Sequence, residues 1–213
     1  MNPRTTLFYD VDTQRDFLEP GGRLYVKGAD RIIPALERLT AIARERGCRI
    51  VASVDRHFPG DPELKRNGGE FDDHCMDGTS GQQKIAATAP RNPYYLENRE
   101  LSGAELDAAL AHRGELVIEK QRFDVFAGNR HARSVLARIL RDYTDVVVYG
   151  VYAEVCVNDA IRGLLELGPK IHAVTDAIAD IGAEGARCRE QWRAAGVELL
   201  TLDELAARLG PPA

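Results

Sequence analysis

The sequence has no long apolar run, no run of basic residues and no closely spaced cysteine pair, and each absence removes a class of protein. The apolar stretches fall far short of the roughly 20 residues needed to span a bilayer, so no membrane-spanning helix is expected. Acidic residues number 33 against 28 Lys and Arg, a formal charge of −5, which suits neither nucleic acid nor an anionic lipid surface. Cys48, Cys75, Cys156 and Cys188 include no CxxC pair, which excludes a zinc ribbon or a thioredoxin-type motif. Four cysteines in 213 residues do not make a disulfide scaffold, so they read as free thiols, mostly small buried hydrophobes. No GxGxxG follows the first apolar run, so the dinucleotide-binding fingerprint is missing. Internal repeats, low-complexity tracts and linkers are also lacking. Met1-Asn2-Pro3-Arg4 leads straight into a strand-like run instead of a signal peptide. The expectation is one soluble cytoplasmic domain over 1–213, with no nucleic-acid or membrane partner and room for homo-oligomers.

What is present is alternation. Short Val- and Ile-rich runs at Thr5–Val11, Arg49–Val54, Leu116–Glu119, Asp145–Val151, Lys170–Thr175 and Val197–Leu200 read as six strands. Several are almost continuously apolar, the pattern of strands covered on both faces of a parallel sheet. Between them, Ile32, Leu36, Leu39 and Ala43 recur at helical spacing, with Pro34 in the first turn and Gly47 beyond the end. Val135, Ile139 and Leu140 mark a second helix. Val157, Ile161, Leu164 and Leu165 mark a third, 186–195 a fourth and 204–209 a short last one. This order predicts a three-layer α/β fold: a doubly wound, mostly parallel six-stranded sheet with right-handed crossovers. The stretch 58–102 lacks periodicity and is too long for a plain connection, so it reads as a lid or the wall of a site.

In such sheets ligands sit beyond the carboxyl ends of the strands. The first strand ends at Asp12, with Asp10 and Asp16 equally near. The second ends at Asp55-Arg56-His57, the third at Lys120, and the fourth runs through 150–155 into Cys156, which opens a helix. A helix N-terminus and a nearby lysine both lower a thiol pKa, so Cys156 is placed as a nucleophile. The bland alternatives are a buried thiol, a solvated lysine and a turn aspartate; the joint placement argues against them. Asp55 and His57 are two residues apart and face the same way if extended geometry persists, which makes half of a metal site. His74 in the irregular stretch would complete a set of one carboxylate and two imidazoles, suited to one Zn²⁺, Fe²⁺ or Mn²⁺ per chain, with Asp61, Glu63 or Glu70 as a further ligand, directly or through water. His112, His131 and His172 sit inside element patterns and read as packing or surface residues.

Val11-Asp12-Thr13-Gln14-Arg15-Asp16-Phe17 resembles the opening motif of the isochorismatase-like cysteine hydrolases. Residues 20–26, 53–57, 74–81, 119–126 and 150–157 are similar to that family's further motifs, most of all in its nicotinamidase (pyrazinamidase) branch. The likeness covers Thr5 to Leu202. It implies an Asp12–Lys120–Cys156 triad, which selects Asp12 from its neighbours, and a metal at Asp55, His57 and His74. It also implies a cis peptide at Val151–Tyr152 and an oxyanion hole from N–H groups there and at Cys156. Phe17 and Phe71 would lie against a substrate ring. Asp10 stands where the family pattern commonly has an apolar residue. The implied activity is deamidation of nicotinamide to nicotinate and ammonia through a thioester. The rivals are hydrolysis of another small amide or of isochorismate on the same fold, and a non-catalytic or redox-sensing thiol protein.

Overall fold

The computed structural model describes residues 1–210, so the last three residues of the expected domain lie outside it. Seven strands form one sheet: β1 (Thr6–Val11), β2 (Arg49–Asp55), β3 (Tyr94–Leu96), β4 (Leu116–Lys120), β5 (Asp145–Val151), β6 (Lys170–Ala179) and β7 (Glu198–Leu200). Their spatial order is β3-β4-β2-β1-β5-β6-β7, and every neighbouring pair is parallel. The chain works outward from β1 on one side and then returns to β5 on the other, so the sheet is doubly wound with its switch point at β1. β1 is buried at all six positions and β5 at six of seven, which is why both read as nearly continuous apolar runs.

The helices are α1 (Arg15–Leu18), α2 (Ile33–Glu45), α3 (Gly103–Ala111), α4 (Val125–Gly128), α5 (Ala132–Ile139), α6 (Cys156–Glu166), α7 (Glu184–Ala194) and α8 (Leu202–Leu209). They form two groups. α2 packs against α8, whereas α3, α4, α5 and α6 pack among themselves. α7 joins the second group through Trp192, whose indole N–H donates to Asn158 of α6 at 2.9 Å. Leu36, Leu39 and Ala43 of α2 are fully buried, as their spacing requires.

Beyond the short helices α1 and α4 and the extension of β6 from Thr175 to Ala179, two features differ from the sequence expectation. The sheet has seven strands, not six, because Tyr94–Leu96 in the irregular stretch adds an edge strand beside β4. Three residues, one of them buried, are too few to show a period. Helix α3 escaped notice because it buries only Ala109 and has almost no apolar face. A capping box supports its start: Ser102 Oγ accepts from Glu105 N, and Glu105 returns to Ser102 N at 2.8 Å.

Gly150 fixes how closely β5 approaches β1. Its φ is +126°, and a Cβ there would lie 2.0 Å from the carbonyl oxygen of Val11. The obstacle is backbone in the strand that carries Asp12, so it cannot swing aside. Gly150→Ala should therefore cost about 1–3 kcal/mol, read as a lower urea midpoint; an unchanged midpoint would contradict this close approach.

Candidate active site

The register of the central strands assembles the site. Asp55 and Lys120 are direct partners in the β2–β4 ladder, as are Val11 and Gly150 in the β1–β5 ladder. Asp12, Asp55, Lys120 and Cys156 therefore meet at one carboxyl edge, and all four are buried. The Lys120 ammonium lies 3.0 Å from Asp12 Oδ2, donates to Asp55 Oδ1, and sits 3.6 Å from Cys156 Sγ. One cation thus faces two carboxylates and a thiol.

The surroundings set the protonation of each group. Burial raises Asp12 above the usual carboxylate range; Lys120 opposes this, and neighbouring Asp55 adds to it. Burial also works on Asp55, but Lys120, with help from the two histidines, brings it well below that range. Burial would lower Lys120, yet Asp12 and Asp55 hold it well above its ordinary value, so it is charged. Burial pushes the Cys156 thiol well up, and Lys120 recovers only part of that. The cation expected to favour the thiolate is thus outweighed here by burial.

The three neighbouring aspartates separate cleanly. Asp10 is buried 3.2 Å from Lys84 Nζ and accepts from Thr13 Oγ1 at 2.8 Å, which explains a carboxylate at a position the family usually keeps apolar. Asp16 receives the backbone N–H of Cys75 at 2.6 Å and of Arg23 at 3.1 Å, so it ties loops together. Asp12 alone faces Lys120, with φ of +49° where β1 ends.

A second group adjoins the first. Asp55, His57 and His74 bring ligand atoms within 4.8 Å of one another. His57 and 75–77 pair like short strands: His57 N donates to Cys75 O at 3.0 Å, and Asp77 N to His57 O at 2.8 Å. That pairing lays His74 beside His57, with ring centroids 4.6 Å apart. His74 Nδ1 donates to the Asp72 carbonyl at 2.8 Å, and His57 Nδ1 to Asp61 Oδ2 at 3.1 Å. With Nδ1 so engaged, each ring in its neutral form turns the Nε2 lone pair inward. Asp55 Oδ2, His57 Nε2, His74 Nε2 and Glu63 Oε2 are all buried without a hydrogen-bond partner. Four orphaned atoms of this chemistry in one place are what a divalent cation would satisfy. Among the further candidates, Asp61 orients His57 and Glu70 is exposed. Glu63 Oε2 points at His57 Nε2 from 3.5 Å, while burial, reinforced by Asp55, raises the carboxyl to about 7.

Both groups open onto a cavity of about 250 Å³ whose walls include Phe17, Phe71, Phe123, Tyr152, His74 and Cys156. Phe17 and Phe71 both line this cavity, 5.7 and 6.3 Å from the His74 ring. Phe123 was not singled out; it meets Phe71 edge-on at 5.0 Å. The Val151–Tyr152 peptide is cis. Tyr152 O accepts from Val155 N and Val157 N, both at 3.1 Å, which leaves Tyr152 N and Cys156 N without a backbone acceptor among the described residues. Tyr152 Oη donates to Phe17 O at 2.6 Å. His112, His131 and His172 lie away from the site, and His172 is a buried bridge between Asp145 at 2.7 Å and Glu198 at 3.1 Å.

Gln14 also escaped the sequence reading. Its amide pairs with Asp55 as a strand would: Asp55 N donates to Gln14 Oε1, and Gln14 Nε2 to Asp55 O, both at 2.7 Å. Nε2 donates again to Gln82 O at 2.7 Å. No local motif announces this, because the partners are backbone groups far away in sequence. Gln14→Ala leaves these buried groups unpaired and should cost about 2–4 kcal/mol, measured by denaturant unfolding. A loss under 0.5 kcal/mol, on the order of a neutral surface change, would contradict the clamp.

The isochorismatase domain model matches residues 7–204. The nicotinamidase of Escherichia coli (strain K12) is 29% identical to the chain, over 95% of this chain and 96% of that protein. An Arabidopsis thaliana protein named probable inactive nicotinamidase is 28% identical over 83% of this chain and 81% of its own. The pyrazinamidase of Pyrococcus horikoshii in complex with zinc superposes with a TM-score of 0.73 at 26% identity, covering 92% of this chain and 99% of that one. With the matched span running from β1 through β7 and enclosing both side-chain groups, the chain belongs to the isochorismatase domain family.

Proposed function

We propose that the chain is a metal-containing cysteine amidohydrolase that converts nicotinamide to nicotinate and ammonia. One observation carries this reading. The Asp12–Lys120–Cys156 cluster and the Asp55–His57–His74 group are joined where Lys120 meets Asp55, and both open onto the same small aromatic cavity. At about 250 Å³ the cavity is smaller than the ~300–1,000 Å³ of drug-sized sites, so it suits a single ring.

Asp12 accepts the Cys156 proton as the thiolate attacks the carboxamide carbon. Its raised pKa suits a base that must also return the proton. Lys120 stays charged and steadies the thiolate as it forms. The N–H groups of Tyr152 and Cys156 receive the developing oxyanion. Asp12 then protonates the departing ammonia, leaving a thioester on Cys156, and finally takes a proton from the water that hydrolyses it. Asp55, His57 and His74 would hold a divalent ion, Zn²⁺ by donor type with Fe²⁺ or Mn²⁺ as alternatives. When bound, that ion supplies a Lewis-acid contact for the ring nitrogen, which orients the ring. Phe17, Phe71 and Phe123 pack around the ring and exclude water. The segment between β2 and β4 thus serves as a wall of the site. The Arabidopsis relative, named a probable inactive nicotinamidase, raises a non-catalytic reading, against which Lys120 of this chain sits beside both Asp12 and Cys156.

Cys156→Ala should lose amide hydrolysis by at least about 10⁴-fold while still binding the amide; mass spectrometry of quenched wild-type protein should show an acyl adduct on Cys156 alone. Near-normal turnover by the variant would end the thioester mechanism.

Ammonia release should rank nicotinamide and pyrazinamide first, benzamide well below and aliphatic amides last. The protein should carry close to one divalent ion per chain, and His57→Ala and His74→Ala should lower that content. Equal rates on benzamide and nicotinamide would remove the ring-nitrogen contact and favour a general amidase; full activity in a metal-free preparation would remove the ion.

A further inference from the structure

The amino edge of the sheet, opposite the catalytic cleft, carries a second and larger cavity of about 450 Å³. It lies where β2 begins at Arg49 and just before β4. Arg44, Arg49, Arg91, Arg113 and His112 line it, and the acid among the lining residues is Glu115. Glu115 is already engaged. It accepts from Arg44 Nε at 2.8 Å, Arg44 Nη2 at 3.2 Å and the Arg91 backbone N–H at 3.0 Å. His112 Nε2 bonds the Asn92 carbonyl at 2.6 Å.

The other three arginines are uncompensated. Arg49, Arg91 and Arg113 form no ion pair among the described residues, whereas Arg44 pairs with Glu115. Two guanidinium nitrogens of Arg49, Nε and Nη2, are shielded from solvent, and no oxygen of the described residues accepts from them. An adjoining cavity of about 230 Å³ shares Arg49, Arg113 and Tyr143 and adds Arg138 and Asp142. Arg138 turns to Asp107 at 3.4 Å, and Asp142 pairs with none of these arginines.

A solvated basic surface is the bland alternative. It fits Arg91 and Arg113, which are exposed, but not Arg49. Shielded guanidinium N–H groups without an acceptor are costly, and Arg49 lines a cavity in which a rotation of its side chain would bring them to an entering acceptor. Guanidinium forks match phosphate oxygens in pairs. Three uncompensated cations exceed the charge of one phosphate and suit two linked ones. The location is independent of catalysis, since β2 separates Arg49 from Asp55 by about 20 Å at ~3.3 Å per residue.

We propose that this cavity binds a small phosphate-bearing anion, anchored by Arg49 and flanked by Arg91 and Arg113. Titration calorimetry of the full chain with inorganic pyrophosphate, at ionic strength fixed with KCl, should show one saturable site, with inorganic phosphate weaker. Arg113→Gln and Arg49→Gln should each weaken pyrophosphate binding at least about tenfold without lowering the ligand-free melting temperature of the Arg113 variant. Arg113 is exposed, so that variant tests the cavity even if the Arg49 variant folds poorly. An ADP arm separates the sources: ADP binding like pyrophosphate supports a nucleotide, and pyrophosphate binding alone supports an inorganic diphosphate. No saturable binding, or binding unchanged in Arg113→Gln, overturns the proposal. So does binding abolished by His57→Ala, which would put the anion at the Asp55–His57–His74 group.

Discussion

A single buried ammonium organises the catalytic edge of this protein. Lys120 is fully enclosed, and an enclosed cation persists only if anions are delivered to it. Asp12 and Asp55 deliver them, from the ends of two different strands. Removing either partner of such a buried pair typically costs about 3–5 kcal/mol, because the other charge is stranded. The ladder β4-β2-β1-β5 must therefore hold its register at the carboxyl ends. A slip of one residue on β2 would carry Asp55 to the opposite face and leave Lys120 with half its compensation.

Asp55 connects two chemistries. One oxygen faces Lys120, and the other, unpartnered, points toward His74 Nε2 at 3.7 Å. Whatever moves this carboxylate disturbs both groups at once. Its backbone is accordingly gripped on both sides by the Gln14 amide, and Gln14 lies two residues beyond Asp12 on the same turn. The loop that leaves β1 thus places one carboxylate directly and the other through an amide clamp.

The sheet was legible because its long strands are covered on both faces, and strand ends then pointed to Asp12, Asp55, Lys120 and Cys156. Across the DxH spacing Asp55 and His57 turn to the same side, with ligand atoms within 4.8 Å of each other and of His74, while Arg56 turns away to Asp77 and Glu119 at 2.8 Å. Spacing could not choose among Asp10, Asp12 and Asp16, because the choice depends on what each meets across the sheet. Lys84 claims Asp10 and the Cys75 amide claims Asp16. Edge strand β3 and helix α3 left no periodic trace because each buries a single residue. The family resemblance supplied the choice of Asp12 and the cis peptide, which local pattern cannot hold.

The position of Cys156 at a helix start suggested an activated thiol by itself, yet burial and the neighbouring carboxylates push that thiol up. With the thiol pushed well up and Lys120 already committed to two carboxylates, a thiolate arises only as its proton leaves for a group nearby. Asp12 is the group whose affinity for a proton is raised by the same burial, with ligand atoms of Asp12, Asp55 and Cys156 all within 4.8 Å of one another. Asp55, held low by Lys120 and the histidines, is a poor proton acceptor. The two carboxylates are pushed in opposite directions by one environment, and in the mechanism proposed above that difference assigns the proton to Asp12 and keeps Asp55 ionised beside the two histidines.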